Sequence, residues 1–219
     1  MSDGARDYIS TISDVREVAL AGVADLDYWC DYLRPEALVP FEDDGRASLL
    51  LTGIESKFRG IPFRELSVSV LVEGGGAYLA QAFNSSRLLA FAERVFFQTP
   101  YRLAGLGVDE HLPARMEVAR GGHTLFEARM GSQRPPARRE DPVFEGPIYL
   151  PGSRKVFFAR LSGAAGIYPF DPTDRVTIAS GSSGTLFTQL LESGFAGVEW
   201  LVRAGAVHAR SKTYNRDSL

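Results

Sequence analysis

The chain is organised around residues 84–106, which read Asn84-Ser-Ser-Arg-Leu-Leu-Ala-Phe-Ala-Glu-Arg-Val-Phe-Phe-Gln-Thr-Pro-Tyr-Arg-Leu-Ala-Gly-Leu106. Polar residues that suit a helix cap precede apolar residues at helical spacing. Pro100 cannot continue a helix and pushes Thr99 towards an extended conformation. The pattern predicts a short helix, a corner at the proline and a strand after it. Side chains at such a corner are held by rigid elements on both sides, which favours chemistry there.

Strand patterns dominate on both sides of this corner. Residues 63–73 alternate between an apolar face, which includes Leu66 and Val68, and a polar face that carries Glu65. The apolar face predicts core, and the polar face predicts a pocket wall or a solvated surface. Three glycines at 74–76 predict a hairpin to a strand over 77–83. Further strands are predicted at 46–53, 102–108, 113–120, 124–130, 154–163, 174–180 and 197–212.

Helical patterns are fewer. Apolar spacing predicts helical structure over residues 11–33 and a helix over 184–193, and Gly194 is a typical helix stop. The proline- and glycine-rich residues 131–152 are interpreted as a loop, such as a lid or a binding loop. Together these patterns predict an α+β fold of mainly antiparallel strands, curled into a closed barrel with a few flanking helices. We expect residues 1–219 to form one domain.

Composition limits the classes of function. The 219 residues carry a net charge of −3, with 45% hydrophobic and 23% charged residues, which disfavours a general binder of nucleic acid or anionic membrane. Cys30 is the only cysteine, so no intrachain disulfide can form. The N-terminus lacks the apolar region of a secretory signal, and no run approaches the roughly 18 apolar residues of a membrane span. We expect a cytoplasmic protein; homo-oligomer formation stays open.

Cofactor motifs are weak or missing. The three histidines are far apart in the sequence and form no ligand pair, so no metal site is predicted. No Walker spacing and no nucleophile elbow occurs, and Cys30 lies on an apolar helical face. The glycine-rich residues 181–184 suit either a helix-capping turn or an anion site. No cofactor is therefore predicted.

Two polar groupings allow both a functional and a structural interpretation. Glu65, with Arg94 or Arg102 nearby, would suit an anionic or carbonyl ligand, or it would form a structural ion pair. The run from His208 to Tyr214 places His, Arg, Lys and Tyr on one strand face. That face would line an anion pocket, or it would be the solvated side of an edge strand.

The residues around the corner resemble the acetoacetate decarboxylase superfamily. Members carry a Tyr-x-Glu strand and, later, a Gly-Arg-Glu-x-x-Gly-x-Pro-Lys-Lys segment. This chain matches the glutamate at Glu65, the arginine at Arg94 and the proline at Pro100. The resemblance covers roughly residues 35–130. It implies a cone-like antiparallel barrel whose central cavity is lined here by Glu65, Tyr101 and Arg102.

The chain departs from the family at the reacting group. The resemblance implies that the first lysine of Pro-Lys-Lys forms a Schiff base with a keto acid and that the second lowers its pKa. Those positions are Tyr101 and Arg102 here. Because a tyrosine cannot form an iminium, lysine-dependent decarboxylation at this position is excluded. Arg102 keeps the positive charge of the second lysine.

We therefore expect a site for a small organic acid or carbonyl compound, with acid/base chemistry of the dehydratase or tautomerase type. The catalytic candidates are Glu65, Tyr101 and Arg102, and the ligand-binding candidates are Arg94, Arg102 and Tyr78.

Two alternatives remain open from the sequence. One is a binding protein without catalysis that holds a hydrophobic ligand. The other keeps Schiff-base chemistry but moves the amine elsewhere. Only three of the 24 basic residues are lysines, so that amine would have to belong to Lys57, Lys155 or Lys212.

Overall fold

The computed structural model describes residues 7–152, 154–179 and 186–218. Within these ranges it has two short 3₁₀ turns, Arg34–Glu36 and Arg216–Ser218. The helices are α1 (Leu26–Leu33), α2 (Arg87–Phe96) and α3 (Leu186–Glu192). The strands are β1 (Tyr8–Asp25), β2 (Glu42–Asp43), β3 (Arg46–Phe58), β4 (Ile61–Val72), β5 (Gly76–Asn84), β6 (Tyr101–Leu103), β7 (Gly105–Asp109), β8 (Arg115–Arg120), β9 (His123–Arg129), β10 (Arg138–Glu140), β11 (Phe144–Tyr149), β12 (Lys155–Ser162), β13 (Ala165–Pro169), β14 (Arg175–Ile178), β15 (Ala196–Ser211) and β16 (Tyr214–Asn215).

Seven strands close into a barrel. Around the barrel they follow the order β15, β1, β3, β4, β5, β11 and β12, and β12 pairs again with β15. All of these pairs are antiparallel except the parallel pair of β5 and β11. The predicted α+β class, mainly antiparallel and closed as a barrel, is confirmed. No helix among the described residues is long and apolar enough to cross a membrane.

The main core lies outside the barrel, between its wall and a second sheet. That sheet has the order β14, β9, β8, β7. Val68 of β4 and Leu51 of β3 pack in one apolar cluster with Met116 and Phe126 of the second sheet. The ring of Phe187 on α3 stacks on Phe126, with centroids 4.8 Å apart. Because this face of β4 is the apolar one, its polar face with Glu65 turns into the barrel.

The helix predicted over residues 11–33 is wrong in its first part. Residues up to Asp25 form the long strand β1, and only α1 is helical. β1 pairs with β3 on one edge and with β15 on the other. Its middle is covered on both faces, so Val18, Ala19 and Leu20 are all buried and no alternation shows. An apolar run of this kind fits a buried strand as well as a helix.

The loop predicted at 131–152 is also wrong in part, because it contains β10 and β11. The composition around Gly146 and Pro147 is typical of a turn, but β11 pairs with both β12 and β5. A Cβ atom on Gly146 would lie 2.5 Å from the carbonyl oxygen of Gly75. This glycine therefore serves close approach of two backbones.

Other strand predictions need smaller corrections. The strand predicted at 102–108 is divided between β6 in the barrel sheet and β7 in the second sheet. β13, which pairs with β15, was not predicted. The hairpins of β4 with β5 and of β8 with β9 are confirmed. Residues 180–185, which include the predicted 181–184 anion site, lie outside the described residues.

A buried carboxylate fastens the segment after β9 to the barrel. Asp174 accepts hydrogen bonds from the amide nitrogens of Gly131 (2.8 Å) and Asp171 (2.9 Å), from Arg134 Nη2 (2.6 Å) and from Trp200 Nε1 (3.0 Å). Burial would raise the pKa of Asp174, but these donors, foremost Arg134, lower it to about 2. The carboxylate therefore stays charged in the folded protein over the whole physiological range.

We expect Asp174→Ala to lower the free energy of unfolding by about 3–5 kcal/mol, because Arg134 loses its partner in a largely buried position. The charge of Asp174 stabilises the fold fully above the unfolded pKa of 3.8, and that contribution is lost as the pH falls through about 2. Urea unfolding at pH 7 measures the change. The control is Asp31→Ala, which removes an exposed ion pair with Arg34 and should cost less than about 1 kcal/mol. Equal losses in both variants would contradict the assignment.

Candidate functional site

One row of residues crosses four strands inside the barrel. Glu17 on β1 pairs with Ile54 on β3, and Ile54 pairs with Glu65 on β4. Glu65 in turn pairs with Asn84 on β5. Paired residues point to the same face, and neighbouring strands lie about 4.8 Å apart. The backbones at Glu17 and Glu65 are therefore about 10 Å apart, with Ile54 between them.

The corner at Pro100 brings Tyr101 to Glu65. β6 pairs in parallel with β5 and places Tyr101 beside Ala82, which is one inward-facing position from Asn84. The Tyr101 hydroxyl donates a hydrogen bond to the Glu65 carboxylate. The two proposed catalytic side chains, 36 positions apart in the chain, therefore meet in the barrel.

Helix α2 adds a second carboxylate. The Ser86 hydroxyl accepts a hydrogen bond from the amide of Leu89 and caps the helix. One turn after Leu89, Glu93 accepts hydrogen bonds from the Thr99 hydroxyl at 3.0 Å and from Arg210 Nη1 at 2.5 Å. Glu93 thus ties the helix to the corner and to strand β15. The predicted helix is confirmed, but Leu88, Phe91, Val95 and Phe96 are exposed, because the inward side of α2 carries Leu89 and Glu93.

The guanidinium of Arg210 lies against two aromatic rings. Its Cζ lies 4.4 Å from the ring centroid of Phe97 and 4.1 Å from that of Phe157. Stacking of this kind leaves the guanidinium able to donate only in its own plane. Nη1 is bound by Glu93, whereas buried Nε and Nη2 have no hydrogen-bond partner among the described residues. Those two atoms form the edge that binds a carboxylate in bidentate fashion.

The surroundings change the acidity of Glu65 and Tyr101. Burial raises the pKa of Glu65 from 4.5 to about 7, and the nearby charge of Glu93 also raises it. The hydrogen bond from Tyr101 and the charge of Arg210 act in the opposite direction. Burial, together with Glu65 and Glu93, raises the pKa of Tyr101 well above 10. At neutral pH Glu65 therefore exists in both protonation states, and Tyr101 keeps its proton.

A second buried cluster lies on the other side of Ile54. Glu17 accepts a hydrogen bond from Arg203. It also accepts one from His208 Nε2, at 2.7 Å. Arg203 also donates to the carbonyl oxygen of Gly163 at 3.1 Å. Burial would raise the pKa of Glu17, but the hydrogen bond and charge of His208 and the charge of Arg203 lower it. Glu17 is therefore an ionised carboxylate inside the barrel.

An open groove lies at the end of the barrel near Phe63. The groove, of about 1120 Å³, lies where β1 separates from β3, and it is lined by residues of β1, β3 and β4 and by Ser85. Phe63 and Ser56 form part of its wall. Phe63 is two residues from Glu65 on the same strand face, so their backbones are about 7 Å apart along the strand. Phe63 packs with Ile54, Val15 and Ala206, and the Glu65 carboxyl does not line the groove.

The other predicted ligand-binding residues are not brought to this pair. Arg102 follows Tyr101 on β6, points to the opposite face and is exposed. Arg94 is exposed on α2. Tyr78 is buried in the main core, where its ring contacts Tyr32 edge-on and its hydroxyl donates to Glu36 at 3.5 Å. Their roles in binding stay predictions.

Arg210 is not among the predicted site residues, although it lies in the polar run from 208 to 214 that the sequence shows. The period of two residues placed His208 and Arg210 on one face, which is confirmed by their contacts with Glu17 and Glu93. The interpretation as a solvated edge strand is wrong, because β15 pairs with β1 on one edge and with β12 and β13 on the other. A strand 16 residues long is more typical of a barrel wall than of an edge.

One group of potential metal ligands occurs within the described ranges. Ligand atoms of Asp109, Glu110 and His111 lie within 4.8 Å of one another. Asp109 contacts the His111 ring nitrogen at 2.9 Å, and Glu110 pairs with Arg16 at 3.3 Å. These contacts account for the cluster as an exposed turn between β7 and β8.

The fold matches solved structures at low sequence identity. An acetoacetate decarboxylase from Legionella pneumophila matches with a TM-score of 0.66 and 13% identity, over 96% of this chain and 88% of that chain. An acetoacetate decarboxylase-like enzyme from Sphingomonas wittichii RW1 gives a TM-score of 0.59 and 12% identity, over 91% and 89%. A third structure, described as a structural study of acetoacetate decarboxylase, gives 0.61 and 12%, over 93% and 87%.

No family model and no curated protein matches the sequence. The chain therefore has the acetoacetate decarboxylase-like fold that its short motifs indicated, and at these identities the likeness concerns the fold alone.

We expect Glu65→Gln to change how stability depends on pH. The wild-type carboxyl has a higher pKa when folded than the 4.5 of an exposed glutamate, so between pH 4.5 and about 7 the folded state holds a proton that the unfolded state releases. Stability contributed by protonated Glu65 is therefore lost as the pH rises through this window. At pH 8 the variant should be more stable than wild type by about 1–3 kcal/mol, and at pH 4.5 about equal.

Urea unfolding at both pH values measures this difference. Glu73→Gln, at an exposed position, is the matched control and should show no such change. A constant difference between Glu65→Gln and wild type across the pH range would contradict the raised pKa.

Proposed function

We propose that the barrel binds a small organic acid with a carbonyl group and promotes keto–enol proton transfer in it without an iminium. The observation that carries this proposal is the buried Nε and Nη2 edge of Arg210, which has no hydrogen-bond partner in the described part of the chain and lies beside the Glu65–Tyr101 pair. A carboxylate would complete the guanidinium, and the carbonyl oxygen would then lie near two proton donors.

Anion binding comes first in this proposal. A buried donor without a partner costs about 1–3 kcal/mol, and a ligand carboxylate that accepts from both nitrogens recovers that cost. Phe97 and Phe157 keep the guanidinium from rotating away, so little side-chain entropy is lost on binding. Glu93 already neutralises part of the charge of Arg210, which favours a single carboxylate over a more highly charged anion.

The second step of the proposal is proton transfer, for which Glu65 and Tyr101 are the two donors. Protonated Glu65 gives its proton to the carbonyl oxygen, and Tyr101 donates a hydrogen bond to the same oxygen as negative charge develops there. Both interactions make the neighbouring C–H more acidic. A carboxyl whose pKa is about 7 suits this role, because it holds a proton at neutral pH and yet releases it readily.

The positions of the lysines also favour chemistry without an iminium. Tyr101 stands where the family resemblance places the Schiff-base lysine. Lys57 and Lys212 are exposed, and Lys155 pairs with Asn215 at the far end of β12. Each would have to leave its described position to reach Glu65.

Binding without catalysis remains the second candidate, and one observation favours it. Tyr101 packs in an apolar cluster with Leu79, Leu150, Phe157 and Ala159, a wall that suits a hydrophobic ligand. Such a carrier would prefer the methyl ester of an acid probe to the acid itself, whereas the Arg210 site would prefer the acid.

Calorimetric titration with 2-oxobutanoate, 3-oxobutanoate and their methyl esters tests the binding step. We expect the acids to bind and Arg210→Gln to weaken binding at least about 30-fold, which corresponds to 2 kcal/mol for a lost buried charge pair. The surface controls Arg102→Gln and Arg94→Gln should change the affinity less than about threefold. Loss of binding in Arg102→Gln with none in Arg210→Gln would instead support Arg102 as the anion clamp.

Deuterium incorporation at C3 of 2-oxobutanoate, followed by proton NMR in D₂O, tests the chemistry. Glu65→Gln should slow the exchange about 100-fold, whereas Glu73→Gln should not. The wild-type rate should fall as the pH rises through about 7, because Glu65 then loses the proton that it must donate. Acid binding without exchange above the buffer rate would support the carrier instead. A borohydride-trapped adduct on any lysine would revive the Schiff-base alternative.

A further inference from the structure

We propose that His208 is the general base of this barrel pocket and that Glu17 is the residue that positions it. The inference rests on the proposed function, which names a proton donor for the carbonyl oxygen but no acceptor for the proton on carbon. His208 supplies that acceptor from the side of the pocket opposite Glu65.

The contact with Glu17 decides which ring nitrogen is free. Because Glu17 is an ionised carboxylate and can only accept, His208 Nε2 must carry the hydrogen of their 2.7 Å bond. In the neutral ring Nδ1 then holds a lone pair and can take a proton. A carboxylate that fixes the tautomer of a histidine and stabilises its cation is the arrangement found in catalytic triads.

The strand places this nitrogen beside the proposed anion clamp. His208 and Arg210 lie on the same face of β15, about 7 Å apart along the strand. The row from Glu17 through Ile54 to Glu65 sets the His208–Glu17 pair and the Glu65–Tyr101 pair on either side of Ile54. A small acid that binds next to Ile54, with its carboxylate on Arg210, would have the His208–Glu17 pair on one side and the Glu65–Tyr101 pair on the other.

The partial exposure of three side chains supports a common space beside His208 and Arg210. The side chains of His208, Arg210 and Glu93 are 16%, 17% and 23% exposed. β15 is covered on both edges by other strands, so water can reach His208 and Arg210 only through a space on a face of the sheet.

The proposed step is balanced without another reactant. The C3–H bond of a 2-oxo acid breaks, and its proton passes to Nδ1 of His208. The electron pair of that bond forms the C2–C3 double bond, and the former C=O π pair moves to oxygen, which takes the proton of Glu65. The product is the enol. The proton on His208 then exchanges with D₂O. When the step runs in reverse, the enol takes up deuterium at C3.

The residues around Glu17 leave its carboxylate able to position His208. Arg203 pairs with Glu17 and is itself held by the carbonyl oxygens of Gly163 and Pro142. Arg203 offsets part of the charge of Glu17, and the imidazolium formed after proton transfer is stabilised by its hydrogen bond to the Glu17 carboxylate. Leu161, which pairs with His208 from β12, adds no charge.

NMR of the wild-type protein labelled with ¹⁵N-histidine tests the placement without any variant. The chain has three histidines, and the exposed His111 and His123 are internal controls. We expect His208 to show the tautomer with hydrogen on Nε2. Saturating 2-oxobutanoate should shift the Nδ1 resonance of His208 alone, with the same dissociation constant as calorimetry gives.

C3 deuterium exchange tests the role. His208→Gln should slow exchange about 100-fold while the dissociation constant changes less than threefold, and His123→Gln should change neither. Glu17→Gln should slow exchange about tenfold and allow both tautomers of His208 in the NMR spectrum, a signature that a merely structural role would not produce.

The outcomes separate this inference from the proposed function. If 2-oxobutanoate binds through Arg210 but the His208 resonance stays fixed, or if His208→Gln exchanges at the wild-type rate, the role of His208 is wrong and the binding proposal stands. If none of the acids binds, or if Arg210→Gln binds as well as wild type, both proposals fall.

Discussion

The burial of Arg210 is the constraint on which the interior of this barrel depends. A guanidinium does not lose its proton at neutral pH, so once buried it must find partners or destabilise the fold. Glu93 and the rings of Phe97 and Phe157 meet most of that demand. Helix α2 therefore turns a carboxylate inward, while several of its apolar side chains face solvent. The corner that follows α2 then places Tyr101 inside the barrel as well.

The acidity of Glu65 follows from the same balance of charges. A pair of ammonium groups at positions 101 and 102 would hold a nearby carboxyl ionised through Coulomb attraction. Here the first position offers a neutral phenol, and the arginine at the second is exposed on the other face. Arg210 is the nearby cation, but Glu93 offsets its charge. Burial therefore dominates, and the pKa of Glu65 rises to about 7.

The sequence-based predictions were accurate where the local hydrophobic pattern was clear and inaccurate where it was not. Strand β4, its hairpin with β5 and helix α2 have clear periodicity and sharp ends, and each was predicted close to its observed bounds. β1 was misread because both of its faces are buried, which removes the alternation that identifies a strand. β11 was missed because its glycine and proline, typical of turns, serve close packing against β5.

Residue type and short spacing were enough to predict the corner at Pro100, the lack of a lysine there and the polar face of β4 with Glu65. The identity of the charged residues inside the barrel depended on the tertiary fold. Arg102 and Arg94 are near in sequence but point outward, whereas Arg210, His208 and Glu17 come from the two ends of the chain. They meet because β1 and β15 pair in the closed barrel. Pairing between distant strands depends on the register of the whole barrel wall, which no local pattern contains.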